Sequence, residues 1–292
     1  MIGGHLIPDN ERDAYMDIVC LGELLVDMFP AELGRRLAEV SAFYPKPGGA
    51  PANAAVAAAR LGAQAAFIGK VGDDAFGHHL AKVLQDNGVD TRGVRYDAQA
   101  RTTMAFIAKP DVNTQEFVFY RNPGADTLLR VDELDRDVLR ETRVLHFGSL
   151  SLGQEPIRST TWEAVSLATA AGALISFDVN YRPTLWDSPD AAIEQVRAMI
   201  PHAHLVKINE IELELLTGSQ DPVASQRLLA DGPQLVVVTM GPLGSYFCCA
   251  TGAEMVPAFQ VEAADATGCG DAFIAGLLCQ MISAADWRTQ LR

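Results

Sequence analysis

Asp265-Ala266-Thr267-Gly268-Cys269-Gly270-Asp271-Ala272-Phe273 is the stretch on which the reading of this chain turns. Ahead of it lies a strand-like run, Met255-Val256-Pro257-Ala258-Phe259-Gln260-Val261. Behind it Phe273, Ile274, Leu277, Leu278 and Met281 recur at helical spacing, which predicts a helix from near Asp271. Two glycines just before a helix let the backbone turn sharply and leave N–H groups unpaired. With the helix dipole behind them, those groups form an anion site suited to a phosphate. A carboxylate at the mouth of an anion site has a purpose in phosphoryl transfer, where it accepts the proton of an attacking hydroxyl. Acids are also favoured at helix N-termini by roughly 0.3–1 kcal/mol. The motif alone therefore leaves a structural and a catalytic Asp271 both open.

The 292 residues suffice for one large α/β domain or two smaller ones with ample core. A hydrophobic content of 49% with 7% aromatics suits close helix–sheet packing. The formal charge of −14 argues against nucleic-acid or anionic-membrane partners. No run approaches the ~20 apolar residues of a spanning helix, and the N-terminal stretch lacks a signal-peptide core. Five cysteines (Cys20, Cys248, Cys249, Cys269, Cys279) contain no C-x-x-C pair. They read as small buried residues of a reducing compartment, and the expected location is cytoplasmic. His78-His79 and His202-x-His204 lack partners at metal-binding spacing.

In chain order, residues 1–16 read as a loose tail and 17–292 as one domain. Asp17 to Gly22 reads as the first buried strand, running into Glu23-Leu24-Leu25-Val26-Asp27, so that Asp27 reaches the crevice at a strand's carboxyl end. Pro47-Gly48-Gly49-Ala50-Pro51-Ala52-Asn53 leads into a helix of small residues. Its glycines allow close approach, and Asn53 offers a donor and an acceptor to a polyhydroxy ligand. Strand 65–69 and a helix to about Asn87 follow. Strands 102–108 and 116–120 form a hairpin signal with no helix between, which reads as a lid or interface. Then strands 143–147, 174–178, 204–208, 235–239 and 245–249 alternate with helices 159–171, 190–199 and 210–216. This is the pattern of a doubly wound, mostly parallel α/β sheet carrying a small antiparallel β lid.

Further clusters sit at strand ends. Asp178-Val179-Asn180-Tyr181-Arg182 offers Arg182 as a clamp, and Asn209-Glu210-Ile211-Glu212 offers oxygen ligands. Thr239-Met240-Gly241-Pro242-Leu243-Gly244 has the flexibility to lie against a nucleotide. Neither a P-loop nor a dinucleotide fingerprint is present.

Together these clusters resemble the ribokinase-like (pfkB) family of carbohydrate kinases, from about Asp17 to Met281. The resemblance is carried by Gly48-Gly49-x-x-x-Asn53 with Gly69-x-x-Gly72-x-Asp74-x-Phe76-Gly77, by Asn209-x-x-Glu212, and by the 265–273 motif. It implies that Asp271 is the catalytic base and that Gly268, Cys269 and Gly270 form the anion hole. It implies sugar contacts from Asp27, Gly48, Gly49 and Asn53, and nucleotide contacts from Asn209, Thr239, Gly241, Gly244, Gly268 and Gly270. Glu212 matches a position that holds Mg²⁺ through water, and Asp265 and Thr267 match part of a monovalent-cation (K⁺) site. The implied substrates are ATP and a sugar. The lid, from about 27–45 and 101–121, matches a part that often forms a homodimer contact.

Within the family, Phe119 to Asp126 and Asn180 to Trp186 look most like bacterial fructokinases, which phosphorylate fructose to fructose 6-phosphate. Kinases of 2-keto-3-deoxygluconate carry related versions, and Arg121 or Arg182 would supply the cation that a sugar acid requires. Ala266 and Cys269 replace the family's usual Thr and Ala. The sequence stops 19 residues after Phe273, where relatives continue with helices that cover adenine. From this follow two expectations: an apolar face of the last helix (Ile274, Leu278, Met281) short of cover, and, as an alternative function, a ribokinase-like binding protein with impaired catalysis. Asp271, close to a helix N-terminus, is expected to be ionised at rest and only a modest base.

Overall fold

The computed structural model describes residues 15–111, 116–261 and 266–284. Its first strands are β1 (Met16–Leu21), β2 (Leu25–Pro30), β3 (Phe43–Gly48), β4 (Ala65–Gly72), β5 (Asp90–Asp97), β6 (Met104–Ala108) and β7 (Glu116–Tyr120). The remaining strands are β8 (Thr142–Gly148), β9 (Leu174–Asp178), β10 (Leu205–Asn209), β11 (Leu235–Thr239), β12 (Ser245–Cys249) and β13 (Gly252–Val256). The helices are α1 (Ala50–Arg60), α2 (Ala75–Asp86), α3 (Arg136–Arg140), α4 (Ile157–Ala170), α5 (Pro189–Met199), α6 (Glu210–Thr217), α7 (Gln226–Leu229) and α8 (Cys269–Ser283).

A nine-stranded sheet in the order β13-β12-β11-β10-β9-β8-β1-β4-β5 forms the body. It is parallel from β5 to β11, with β12 and β13 antiparallel at one edge. Both faces are buried, so the central strands are apolar on both sides rather than alternating. Val19, Phe147, Phe177 and Ile208 point into one core with residues of α4, α5 and α6. Ile18, Phe67, Val144 and Leu205 point into the other, with α1, α2 and α8.

Helix α8 rests on α1, whose alanines 52, 54, 55 and 58 are buried in the same core. Small side chains let the two helices approach closely. In consequence Ile274 and Leu278 are 0% and 1% exposed, while Met281 is half-buried. The expected shortage of cover on this face is therefore corrected at Ile274 and Leu278: α1 and the sheet supply it. Burial of each such side chain contributes about 1.5–3 kcal/mol.

The second sheet is small, in the order β3-β2-β6-β7. β2 pairs parallel with β6, and the other pairs are antiparallel. Strand alternation gives it two faces. Leu25, Asp27, Ile107, Phe117 and Phe119 face the cleft described below. The other face carries Phe106, Val118 and Tyr120, with Phe106 edge-on to both Phe43 and Tyr120.

Three local readings change. The apolar run from Asp17 to Asp27 is two strands in two sheets, because Gly22 (φ +150°) turns the chain after β1; the lid therefore begins with β2 at Leu25, just ahead of the Asp27 where it was expected. β5 carries Asp90, Arg92, Arg95 and Asp97, the charged dress of an edge strand, which hid it from a search for apolar runs. The run expected over 255–261 ends as a strand at Val256, because Pro257 has no N–H to continue the ladder.

Candidate active site

Between the carboxyl ends of the central strands and the inner face of the lid lies a cleft of about 370 Å³. The chain enters it from the ends of β1, β8, β9, β10 and β11, as open α/β sheets do. Asp271 stands in the first turn of α8, whose N-cap is Gly268 at φ +78°. The Cys269 N–H closes on the Ala266 carbonyl and the Ala272 N–H on the Gly268 carbonyl. No backbone acceptor among the described residues takes the N–H groups of Gly270 and Asp271. This turn therefore presents donors to the cleft without exhausting them on itself.

Asn53 Nδ2 donates to Asp271 Oδ2 at 2.8 Å. Asn53 is placed by the start of α1, where Gly49 (φ +103°) caps the helix and a Cβ would strike the Glu23 carbonyl. Glu23 Oε1 accepts the Ala50 N–H at 2.9 Å and fixes the same turn. Burial pushes the Glu23 carboxyl up to about 7, against the pull of its backbone hydrogen bonds and Arg121. Burial also raises the Asp27 carboxyl, to about 6, with Asp271 adding to the rise and Arg182 opposing it. Asp271 is raised by burial and by Asp178, with the Asn53 hydrogen bond working the other way. The net direction is upward, where a place at a helix N-terminus alone predicts a lowered carboxyl, because burial in the cleft outweighs the helix turn.

Behind the cleft, Asn209 and Glu212 form a reciprocal cap at the start of α6. Glu212 N–H donates to Asn209 Oδ1 at 2.9 Å, and Asn209 N–H to Glu212 Oε2 at 2.8 Å. Glu212 Oε1 accepts the Tyr181 N–H at 2.7 Å. Glu212 is buried, and burial with the neighbouring Asp178 pushes its carboxyl up to about 7. Asn209 lines the cleft in front of it. Among the described residues no three His, Cys, Asp or Glu side chains gather as a metal cluster. With Asp178 Oδ1 also buried and lacking a partner, the donors suit a hydrated cation carried by phosphates rather than a dehydrated ion.

The structure brings Asp27, Gly49, Asn53, Arg182, Asn209, Thr239, Thr267, Gly268, Gly270 and Asp271 to one cleft. Others stand apart from its lining. Gly48 lies behind Asp27, whose carboxylate leaves no room for a Cβ there. Gly241 and Gly244 shape the turn after β11, and Glu212 is hidden behind Asn209. Arg121 is locked in a buried pair with Asp126 at 2.6 Å. Cys269, read as buried, is exposed. Asp265 lies outside the described residues.

Sequence reasoning passed over Lys207, Lys109 and Glu23, all of which line the cleft. Lys207 Nζ donates to Asp178 Oδ2 at 2.8 Å, both side chains being almost wholly buried. Burial pulls this ammonium down in pKa, but the Asp178 carboxylate outweighs it and holds the pKa above its usual value. A lysine inside Leu205-Val206-Lys207-Ile208, an otherwise apolar central strand, was the signal available.

A family profile described as pfkB family carbohydrate kinase matches residues 16–292. The chain belongs to the pfkB family of carbohydrate kinases. Fructokinase-1 of Zea mays is 44% identical over 267 residues, covering 91% of this chain and 83% of that protein. Among solved structures, a fructokinase with bound ATP from Xylella fastidiosa superimposes with a TM-score of 0.84 at 35% identity, covering 92% of this chain and 82% of that one. A fructokinase from Vibrio cholerae O395, in a form with fructose, ADP and calcium ion, gives a TM-score of 0.84 at 32% identity, covering 95% and 88%. This pfkB kinase is a phosphotransferase acting on an alcohol group. No helix among its described residues is long and apolar enough to cross a membrane.

Proposed function

We propose that this pfkB kinase transfers the γ-phosphoryl group of ATP to the 6-hydroxyl of fructose. The observation that carries the reading is the Asn53–Asp271 pair at the N-terminus of α8, facing Asp27 on the inner lid across one cleft. Asp27 and Asn53 hold sugar hydroxyls. Asp271 orients the attacking primary hydroxyl and takes its proton. The N–H groups of Gly270 and Asp271 stabilise the charge of the transferring phosphoryl group. Thr239, and the turn containing Gly241 and Gly244, lie on the nucleotide side. Asn209 and, behind it, Glu212 would hold Mg²⁺ through water; bound with the nucleotide, it neutralises phosphate charge. Thr267 is the described part of the monovalent-cation site.

A second reading, phosphorylation of 2-keto-3-deoxygluconate, is favoured by one observation. Arg182 and Lys109 both line the cleft, and a sugar carboxylate needs such a cation. Arg121, tied to Asp126, is not offered for that role. A homodimer through the outer lid face fits its exposed Val118 and Tyr120, 43% and 67% accessible; sedimentation of the pure chain tests it. The substrate is tested by coupled ADP release across fructose, 2-keto-3-deoxygluconate, ribose and adenosine. Fructose should give the highest kcat/KM, and a higher value for the sugar acid would replace the first reading with the second.

A further inference from the structure

The register of β10 against β9 sets Lys207 beside Asp178. Val206 and Ile208 point to the far core, whereas Lys207 shares its side of the sheet with Leu205, under α8. Its ammonium is almost out of water, at 7% side-chain exposure, yet it lines the cleft. Among the described residues Asp178 is its one hydrogen-bond partner, so two of its three N–H donors remain. The other Asp178 oxygen is also buried and unpartnered. A Cβ built on Gly270 would stand 3.1 Å from Lys207 Nζ, so the ammonium lies beside the turn that precedes Asp271, in space that a side chain at 270 would take.

Charge explains why a cation is needed there. Asp178, Glu212 and Asp271 all act electrostatically on Lys207. Three carboxylates would repel an entering phosphoryl group unless a donor of opposite charge stood among them. Backbone N–H groups alone carry only partial charge. A buried ion pair serving the fold alone would use up its donors, because unmade hydrogen bonds are costly inside a protein.

We propose that Lys207 is a catalytic residue: its ammonium, held by Asp178 against Gly270, donates hydrogen bonds to the phosphoryl group in transfer. This rests on the kinase reading above. In the step, the sugar hydroxyl oxygen forms a bond to the γ-phosphorus. The bond from that phosphorus to the bridging oxygen breaks, with its electron pair leaving on ADP. The hydroxyl proton passes to Asp271. Lys207 neither gains nor loses a proton; it binds the moving group more tightly midway than at either end.

The test replaces both partners, Lys207→Met with Asp178→Leu, so that neither charge is left buried alone. The folded double variant should lose 10²- to 10³-fold in kcat, as for removal of one oxyanion donor, with the fructose KM within about threefold of the parent. A kcat within about threefold of the parent would make the pair structural and overturn the proposal. A second readout needs no sugar: calorimetry of ADP with tetrafluoroaluminate, a mimic of the phosphoryl group in transfer, in magnesium buffer. Affinity for the mixture should fall at least about tenfold in the variant, while affinity for ADP alone holds. Equal affinities for the mixture would overturn the proposal, whereas a parent chain inactive on fructose would count against the substrate reading instead. If the double variant does not fold, Lys207→Gln, which keeps a donor without the charge, is read by the same two measurements.

Discussion

Two lysines are buried in the same sheet, and their surroundings differ. Lys70 on β4 donates to both Glu133 oxygens, at 2.8 and 3.1 Å, meets Asp97 at 3.1 Å, and reaches the Leu128 carbonyl at 3.4 Å. It lies outside the cleft lining, and its donors are used up. Among the described residues Lys207 on β10 has Asp178 alone, and it faces the cleft. The first ties a strand to the loop and short turn around Leu128 and Glu133. The second keeps hydrogen-bonding capacity for something that is not protein. Glu23 and Asp271 follow Lys207: each is buried or half-buried, one takes the Ala50 N–H and the other Asn53 Nδ2 on its carboxylate, and each lines the cleft. Incomplete partnering of buried charge marks the site, and complete partnering marks the scaffold.

The largest effect expected from that division is at Asp271. Asp271→Asn keeps an acceptor for Asn53 but cannot take a proton. Its kcat should fall about 10²- to 10⁴-fold, with the fructose Kd from calorimetry nearly unchanged. A variant retaining most of its kcat would remove Asp271 from the chemistry.

At the scaffold lysine the signs reverse. Lys70→Met leaves Asp97 and Glu133 facing a lost charge and should cost about 3 kcal/mol in urea unfolding, at the low end for a broken buried pair because both acids keep some solvent. The folded enzyme should turn over within about twofold of the parent. A large kcat loss with no loss of stability would break the comparison.

Asp27→Ala should weaken fructose binding by about 1–3 kcal/mol, or 5- to 150-fold, by leaving a hydroxyl unpaired. ATP affinity, measured in the same calorimeter, should hold; equal losses for both would point to a damaged fold.

The smallest effect concerns Glu23 and pH. Its folded pKa, about 7, lies above its ordinary 4.5, so the folded state holds the proton more tightly. Its contribution to stability is full below pH 4.5 and is lost as pH rises through 7. Glu23→Gln removes the titration and keeps an acceptor for Ala50. Its melting temperature should match the parent in acid and exceed it by a few degrees at pH 8. A constant offset at every pH would show that Glu23 does not titrate in this range.

Much of this was legible in the sequence, for stated reasons. The Gly268-x-Gly270-Asp271 turn and the Gly48-Gly49 turn before Asn53 announce themselves because their backbones need glycine. The alternating apolar runs gave the parallel sheet because strands covered on both faces are continuous in sequence. What escaped was set by distance in the chain. Asn53 and Asp271 are 218 residues apart, and nothing local says that they touch. Arg121 reads as a free cation although Asp126 is only five residues on, because nothing local says that the chain folds back to pair them, with Thr103, 23 residues before Asp126, donating to the same carboxylate. β3, with Pro45 and Pro47, and β5, with its charges, are edge strands whose composition masks their geometry. Lys207 was visible as an anomaly in an apolar run, but its meaning depends on Asp178 and Gly270, which neighbour it only in space.

The central claim is that this cleft places the primary hydroxyl of fructose between Asp271 and the phosphoryl group. One phosphorus NMR experiment on the pure chain with fructose and magnesium ATP addresses it directly. The account predicts a new phosphomonoester signal, correlated with the protons of carbon 6 and not with those of carbon 1, growing as ATP becomes ADP and at least about a hundredfold more slowly with Asp271→Asn. ATP consumed without that signal, phosphate at another carbon, or the same signal growing equally fast with Asp271→Asn would contradict it.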